Sequence, residues 1–426
     1  MWSSTDSPFC FLAACFEWAG FKKQGYGYMS SLPVAQDGTC SGLQHYSALL
    51  RDHVGGAAVN LVPSDKPQDI YRVVADKVIE RLEEMTLENS SVEDYELAQE
   101  WLCSGLITRK ATKRAVMTLP YGSTLFSAKQ YIRDYVEEMR EKNPELIPWT
   151  LVRDTVSVEE YNRIAYEEGV EAAQEHSNPT GRACSWLGNI VWSCIHSTVI
   201  AASEAMSWLQ KVTNVVSKGE NLPMSWITPS SFIVLQRYNT TKARRVKTTL
   251  SGVLVYKTDT DDRRTPKGSI ETSFQDTATD SPPITVYLTL KEETDQLDPK
   301  GQRQGIAPNF IHSLDASALV FAVLYANKRY GIDSFALIHD SFGTHAGGEG
   351  CGDSARLAKA IRESFVDMYE SHDVIAEFEE QVLSCLQNNR LRQGKTDPMP
   401  LDTLPERPAK GSLDLSKVLD SRYFFS

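Results

Sequence analysis

The sequence predicts a mostly helical α/β protein with more than one subdomain, and three observations predict it. Apolar residues recur at helical spacing over 8–21, 43–52, 68–84, 93–119, 124–142, 157–175, 185–215, 309–329 and 355–386. Runs rich in β-branched residues at 231–238, 246–257 and 284–291, with short apolar runs at 32–35 and 334–339, read as strands. The 426 residues suffice for a large core divided among subdomains.

Taken in order, the apolar helix 8–21 is too short to span a bilayer, contains Glu17 and lacks a basic leader. Leu32-Pro33-Val34-Ala35 then delivers Asp37 into a turn of small residues, Gly38, Thr39, Ser41 and Gly42. A helix with Leu43, Tyr46, Leu49 and Leu50 on one face follows. Ser64 or Asp65, between Pro63 and Pro67, is the expected cap of the helix over 68–84. Helices over 93–119 and 124–142 come next, then an acidic helix over 157–175 broken at Asn178-Pro179. The stretch 185–215 reads as a buried support. The polar segment 258–283 between two strands reads as an extended or disordered hairpin tip. Ser334–His339 is a strand ending at Asp340, and 355–386 a closing helix.

Eight cysteines without a CxxC pair or finger spacing read as reduced core residues. The net charge of −12 argues against a nucleic-acid binder, since phosphate contacts need cations. The cations are clustered, however: Arg109, Lys110, Lys113 and Arg114 in one group, Arg237, Lys242, Arg244, Arg245 and Lys247 in another. Local charge therefore keeps nucleic acid open as a partner.

Two constellations carry chemistry. Asp37 and Asp340 each end a short apolar strand, about 300 positions apart. If the strands are neighbours, the pair can hold two Mg²⁺ ions that activate a hydroxyl and stabilise leaving pyrophosphate. Spacing alone leaves two unrelated surface acids equally open. In ITRKATKRAVMTLPYGS, Arg109, Lys113, Met117 and Tyr121 recur at i+4 on one helical face, before Gly122 turns the chain. Cations followed by a ring suit a triphosphate with its base or sugar beyond; an ordinary basic helix is the bland alternative.

These blocks resemble motifs of the single-subunit, bacteriophage T7-like RNA polymerases. DGTCSGLQHYSALLRD resembles motif A, RKATKRAVMTLPYGS motif B and ALIHDSFGTH motif C. GIAPNFIHSLDAS, MYESHDV and PAKGSLDL resemble further blocks of the family, in the right order and nearly from end to end. The resemblance implies a right-hand polymerase architecture with a palm sheet and helical fingers. It implies that Asp37 and Asp340 bind two Mg²⁺, with the Gly38 carbonyl as a further ligand. Arg109, Lys113 and Arg114 would hold the triphosphate, with Lys113 an acid toward pyrophosphate. Tyr121 would sit at the nucleotide and discriminate ribose, with His312 beside it; for His312 alone a satisfied core histidine is the plainer reading. Gly122 would permit helix motion, Tyr71 and His339 would lie near the metals, and Phe425 would pack against the site. DNA polymerases of the related fold carry a glutamate five positions after the first acid and a second acid in motif C. Here Gly42 and Ser341 stand there, which favours ribonucleotides over the DNA-polymerase alternative. A catalytically silent nucleic-acid-binding fragment is the other alternative, against which the intact acids argue.

The implied domains are a palm segment with motif A (1–75), fingers with motif B (76–225), a specificity-loop-like hairpin region (226–300) and a return with motif C (301–426). Arg237, Arg244 and Arg245 on the hairpin would contact nucleic acid. The implied partners are a DNA template and promoter, nascent RNA and NTPs, with no membrane, in the cytoplasm of an infected bacterial host. Family members carry several hundred residues before motif A. The chain is thus expected to lack the N-terminal domain and thumb, and a second polypeptide is expected to supply them.

Overall fold

The apolar run before Asp37 forms β1 (Pro33–Asp37) of a three-stranded antiparallel sheet in the computed structural model, which describes residues 2–87, 91–143, 163, 179–250, 284–347, 352–395 and 403–425. The chain forms two compact units, residues 1–237 with 299–426, and residues 238–298.

In the first unit, residues 2–87 supply α1 (Pro8–Gln24), β1, α2 (Ser41–Leu49), α3 (His53–Ala58) and α4 (Ile70–Leu87). A helical group follows: α5 (Val92–Ser104), α6 (Arg109–Thr118), α7 (Leu125–Lys142), α8 (Pro179–Thr198) and α9 (Ile200–Asn214). The hairpin β2 (Met224–Ile227) and β3 (Ile233–Gln236) closes this half. After the second unit come α10 (Pro299–Tyr330), β6 (Ala336–Ile338), β7 (Ser341–His345), α11 (Asp353–Ser371) and α12 (Val374–Arg392). The second unit is one antiparallel ribbon, β4 (Asn239–Leu250) with β5 (Ile284–Leu297), whose register shifts between Asn239 and Thr241.

In the sheet β7 is central, between β1 and β6. Its Phe342, Gly343 and Thr344 are buried, whereas Val34 on β1 and Ile338 on β6 remain exposed. All nine residues of α2 are buried, which makes it the axis of the first unit. It packs on α3, α9 and α10, and α10 in turn packs on α9 and α11. Trp226, Phe310 and Phe378 join β2, α10 and α12 in one aromatic cluster, Phe310 and Phe378 edge to face at 5.1 Å. Each such ring contributes roughly 1.5–3 kcal/mol by leaving water. Among the described helices α10 alone is long and apolar enough to cross a membrane. Its packing on α2, α9 and α11 accounts for that character as core.

Three stretches read from sequence as single helices are each two. Gly105, with φ of +63°, takes the left-handed position that ends α5, so 93–119 divides before α6. Val199, at φ −116° and ψ 60°, separates α8 from α9 within 185–215. Asp373, whose carboxylate accepts the amide of Ala376 at 3.2 Å, starts α12 within 355–386. The start of α4 is also corrected. Asp69 accepts the amides of Tyr71 and Arg72, at 3.1 and 3.3 Å, whereas Ser64 bonds the Lys66 carbonyl within its own loop. The chain closes on a 3₁₀ turn, Leu415–Asp420. The expected acidic helix 157–175, apart from Arg163, and the tip 258–283 lie outside the described residues.

Candidate active site

Sheet register builds the acidic end of the site. Asp37 pairs with Ser341 across β1 and β7, and Ile338 pairs with the same Ser341 across β6 and β7. The two-residue turn left between β6 and β7 is His339-Asp340, so Asp340 is the immediate neighbour of Asp37's partner. His339 takes a left-handed φ of +52°, unusual for a residue with a β-carbon, and this turns the hairpin tightly. The Gly38 amide donates to the Asp340 carbonyl oxygen at 3.3 Å and extends the pairing past β1.

Asp37 is open to solvent, yet its carboxyl is held above the usual range. Loss of hydration against the protein is the largest cause and the Asp340 charge the second, while the Gly38 amide and the Lys113 cation pull the other way. Two carboxylates that repel each other in the open are disposed to take a cation. Among the described residues no group of three or more His, Cys, Asp or Glu is gathered that could hold a metal. Two carboxylates with room for water and phosphate oxygens are the donor set that Mg²⁺ commonly takes.

Behind the acids lies the turn 38–42. Tyr71 on α4 donates its hydroxyl to the Thr39 carbonyl at 3.2 Å. Its own carbonyl accepts the buried Thr112 hydroxyl of α6 at 2.7 Å. Arg109 at the start of α6 pairs with Asp69 and lies over the Tyr71 ring, 5.1 Å from its centroid. The structure thus ties Arg109 to the α4 cap. Arg114 faces the other way, over the Tyr131 ring and 3.3 Å from Asp134, both on α7. Lys113, between them, is exposed and is the cation whose field reaches Asp37.

After α6 the chain tightens into a 3₁₀ turn, Leu119–Tyr121, ended by Gly122 at φ +80°. Tyr121 stacks on His312 of α10, centroids 4.6 Å apart and planes 15° apart. The Tyr121 and Ser41 hydroxyls are 3.1 Å apart. Burial first, and the Asp315 charge second, push the Tyr121 hydroxyl upward, so it stays protonated at neutral pH. His312, read without the family as a core residue, is exposed on its helix. A β-carbon on Gly42 would lie 2.7 Å from Pro120 Cβ and 3.2 Å from Tyr121 Cζ. The space that a β-carbon on residue 42 would take is filled by Pro120 and Tyr121. Glycine at 42 lets α2 approach the turn that carries Tyr121. Phe425 pairs antiparallel with Gly38 and packs edge to face on Phe342 at 5.4 Å.

In the first unit Arg237 is exposed at the end of β3. In the second, Arg244 is exposed on β4 and stands 3.4 Å from Glu292 of β5. The Arg245 side chain lies outside the description, though its backbone pairs with Thr289.

Sequence reasoning missed Ser41, Asn60, Asp69, Thr112 and Asp315. Periodicity could have found two of them: Ser41 and His45 are i and i+4 on α2, and His312 and Asp315 are i and i+3 on α10. Asn60, Asp69 and Thr112 act through long-range contacts that no spacing reveals.

The family model described as DNA-dependent RNA polymerase matches residues 1–400. The chain belongs to the DNA-dependent RNA polymerase family. All of it aligns with the DNA-directed RNA polymerase of Enterobacteria phage K11 and with T7 RNA polymerase of Escherichia phage T7, each at 36% identity. It covers 42% and 43% of those two proteins. A mitochondrial DNA-directed RNA polymerase of Schizosaccharomyces pombe is 28% identical, with 32% of its length covered. This polymerase-family chain therefore spans less than half the length of the curated relatives it matches. The family is that of RNA polymerases, against the DNA-polymerase alternative weighed from the sequence.

Proposed function

We propose that the chain carries the nucleotidyl-transfer centre of an RNA polymerase, adding NTPs to an RNA 3′ end on a DNA template. The observation that carries this reading is the register of β1, β7 and β6. It puts Asp37 and Asp340 at one sheet end, and Lys113 acts on Asp37 there. In this reading Asp37 and Asp340, with the Gly38 carbonyl, hold two Mg²⁺. Bound there, the ions supply activation of the RNA 3′-hydroxyl and charge stabilisation for the leaving pyrophosphate.

The chain's own residues do the rest. The 3′-oxygen forms a bond to the α-phosphorus as the bond to the bridging oxygen of pyrophosphate breaks. Lys113 neutralises the triphosphate and gives a proton toward the leaving group, and the hydroxyl proton passes to solvent. Arg109, once released from Asp69, adds a second cation. Tyr121 and His312 form a flat wall for the nucleotide, with the protonated Tyr121 hydroxyl available at the sugar. Tyr71 supports the turn from beneath, Gly122 lets the motif B turn move, and His339 flanks the acids. Arg114, held on α7, is left out of the triphosphate set.

The palm (1–75), finger (76–225), specificity-loop-like hairpin (226–300) and return (301–426) segments belong to the same proposal, and the ribbon β4–β5 lies within the hairpin region. Exposed Arg237 and Arg244, together with Arg245, would meet promoter or template phosphates. A second polypeptide belongs to the same proposal. Support comes from α1, where Phe9, Phe16 and Trp18 are 80, 69 and 61% exposed, and from Val34 and Ile338 on the sheet. Phage relatives support an assignment to the cytoplasm of an infected bacterium.

The test is RNA extension on a preassembled RNA–DNA scaffold with Mg²⁺ and NTPs, beside Asp340→Asn. Templated extension lost in the variant supports the reading. A folded chain that extends nothing, alone or with the polypeptide that completes it, overturns it.

A further inference from the structure

Beneath the Tyr121–His312 stack lies a buried polar chain that the reaction scheme above does not use. His45 of α2 is buried, with both ring nitrogens engaged. Nδ1 is 2.6 Å from the Tyr369 hydroxyl of α11, and Nε2 is 3.0 Å from Asp315 Oδ1 of α10. The His45 ring packs on Phe365, centroids 5.4 Å apart. The Asp315 side chain is 14% exposed, and its Oδ1 accepts no well-formed hydrogen bond from the described residues. Among the described residues the His45 imidazole is the group nearest to compensating that oxygen. Ser41, His45, Asp315, His339 and Asp340 together border one small pocket.

These contacts close a ring. Ser41 and His45 share one face of α2, and His312 and Asp315 share one face of α10. Ser41 meets the Tyr121 hydroxyl, Tyr121 stacks on His312, and Asp315 returns to His45. The face of α10 that carries His312 is therefore fixed from two sides, through Tyr121 and through His45. A carboxylate with one oxygen shielded from water is a poor choice for stability alone, because desolvation offsets much of its attraction to a partner. It is a good choice where direction matters, since a charge held by one imidazole specifies where a helix face sits.

We propose that Asp315, held by His45 and Tyr369, is a positioning residue for the Tyr121–His312 wall and thereby for selection of the incoming nucleotide's sugar. The inference rests on the polymerase reading for its consequence but not for its geometry.

The test uses the full chain with Asp315→Asn, His45→Gln and Tyr369→Phe, which keep side-chain volume nearly constant. Two readouts separate the claims. The first is the His312 ring resonance in histidine-labelled protein, identified with His312→Gln. Asp315→Asn and His45→Gln are expected to shift it, with Tyr369→Phe shifting it less, while melting temperature changes little. The second is extension on the scaffold with NTP or dNTP. Here Asp315→Asn is expected to raise KM for NTP about tenfold, with kcat within about twofold, and to lower preference for NTP over dNTP by about tenfold. An unmoved His312 resonance overturns the positioning claim. A moved resonance with unchanged KM and sugar preference confines the pair to the architecture and overturns its role in selection. If the wild-type chain extends nothing, alone or with the polypeptide that completes it, the polymerase reading fails, and the resonance alone still decides the positioning claim.

Discussion

Gly38 donates its backbone amide to the carbonyl oxygen of Asp340 at 3.3 Å. The bond sits one step beyond the last register pair, Asp37 with Ser341, and it fixes the two acids by backbone rather than by side chain. Asp37→Asn and Asp340→Asn should therefore leave the sheet intact. In the proposed reaction each is expected to lower kcat at least about 10³-fold, corresponding to the several kcal/mol of charge stabilisation that a bound metal supplies. Extension assays beside circular dichroism check both halves. Near-wild-type extension by either variant would remove that acid from the metal site.

The same acids give a pH and metal dependence with a definite sign. Asp37's carboxyl is raised by lost hydration and by the Asp340 charge, so the folded state binds its proton more tightly than the unfolded chain does. Stability from this group is then lost as pH rises from the ordinary carboxylate range through the raised value. At neutral pH without divalent cation, Asp37→Asn should melt higher than wild type. Added Mg²⁺ should raise the wild-type melting temperature and move the variant much less. Equal Mg²⁺ responses in thermal melts would show that Asp37 holds no ion.

His339 separates stability from activity. Its left-handed φ of +52° costs a residue with a β-carbon roughly 1–2 kcal/mol, a cost that glycine does not carry. His339→Gly is expected to stabilise the fold by up to about 1 kcal/mol in urea titrations, after allowing for glycine's freer unfolded chain. Extension should fall in the same variant if the imidazole serves the acids it flanks. A variant both more stable and fully active would reduce His339 to a turn residue.

Gly42 tests the close approach of α2 to the Tyr121 turn. Its missing β-carbon would collide with Pro120 Cβ at 2.7 Å, and a proline ring cannot swing aside like a flexible chain end. Gly42→Ala should cost about 1–3 kcal/mol by overpacking. It should also displace the Tyr121 ring, seen as reduced preference for NTP over dNTP. Unchanged stability would mean that α2 and the turn separate easily, and that the glycine serves something other than contact.

How much of this was legible follows from what each feature depends on. The acids, Lys113, Tyr121 and His312 were singled out because long motifs carry them, and β1 was found because an apolar run ends at an acid. The division of 93–119, 185–215 and 355–386 was missed because one left-handed glycine, one irregular valine and one aspartate cap interrupt patterns whose apolar spacing continues across the break. Asp69 was missed as the α4 cap because Ser64 and Asp65 have equally suitable side chains, and only the path of the chain selects among them. Arg109, Lys113 and Arg114 were all expected at the triphosphate, yet one residue of helical rotation sends Arg114 to α7. Asp315 was passed over because its i, i+3 spacing from His312 gains meaning only once α2 is placed beside α10.

Asn60 is the residue that sequence reading gave no weight to and on which the motif A turn most depends. It is buried at 1% exposure with φ of +63°, a conformation that asparagine tolerates better than other residues with a β-carbon. Its Nδ2 donates to the Thr39 hydroxyl at 3.1 Å and to the Gln68 carbonyl at 2.9 Å, and its Oδ1 accepts the Gln68 amide at 2.8 Å. Its carbonyl accepts the Ser421 hydroxyl at 2.6 Å. One side chain thus joins the turn after Asp37 to the entry of α4, and its backbone joins both to the segment before Phe425. Asn60→Ala leaves buried donors and acceptors unpaired and places alanine in a left-handed position, a combined loss of about 2–4 kcal/mol. Asn60→Gly loses the same hydrogen bonds but keeps the backbone conformation, so it should fall about 1 kcal/mol short of the alanine loss. Urea unfolding of the two variants beside wild type measures both terms. Equal losses would assign the whole effect to the hydrogen bonds and none to the backbone.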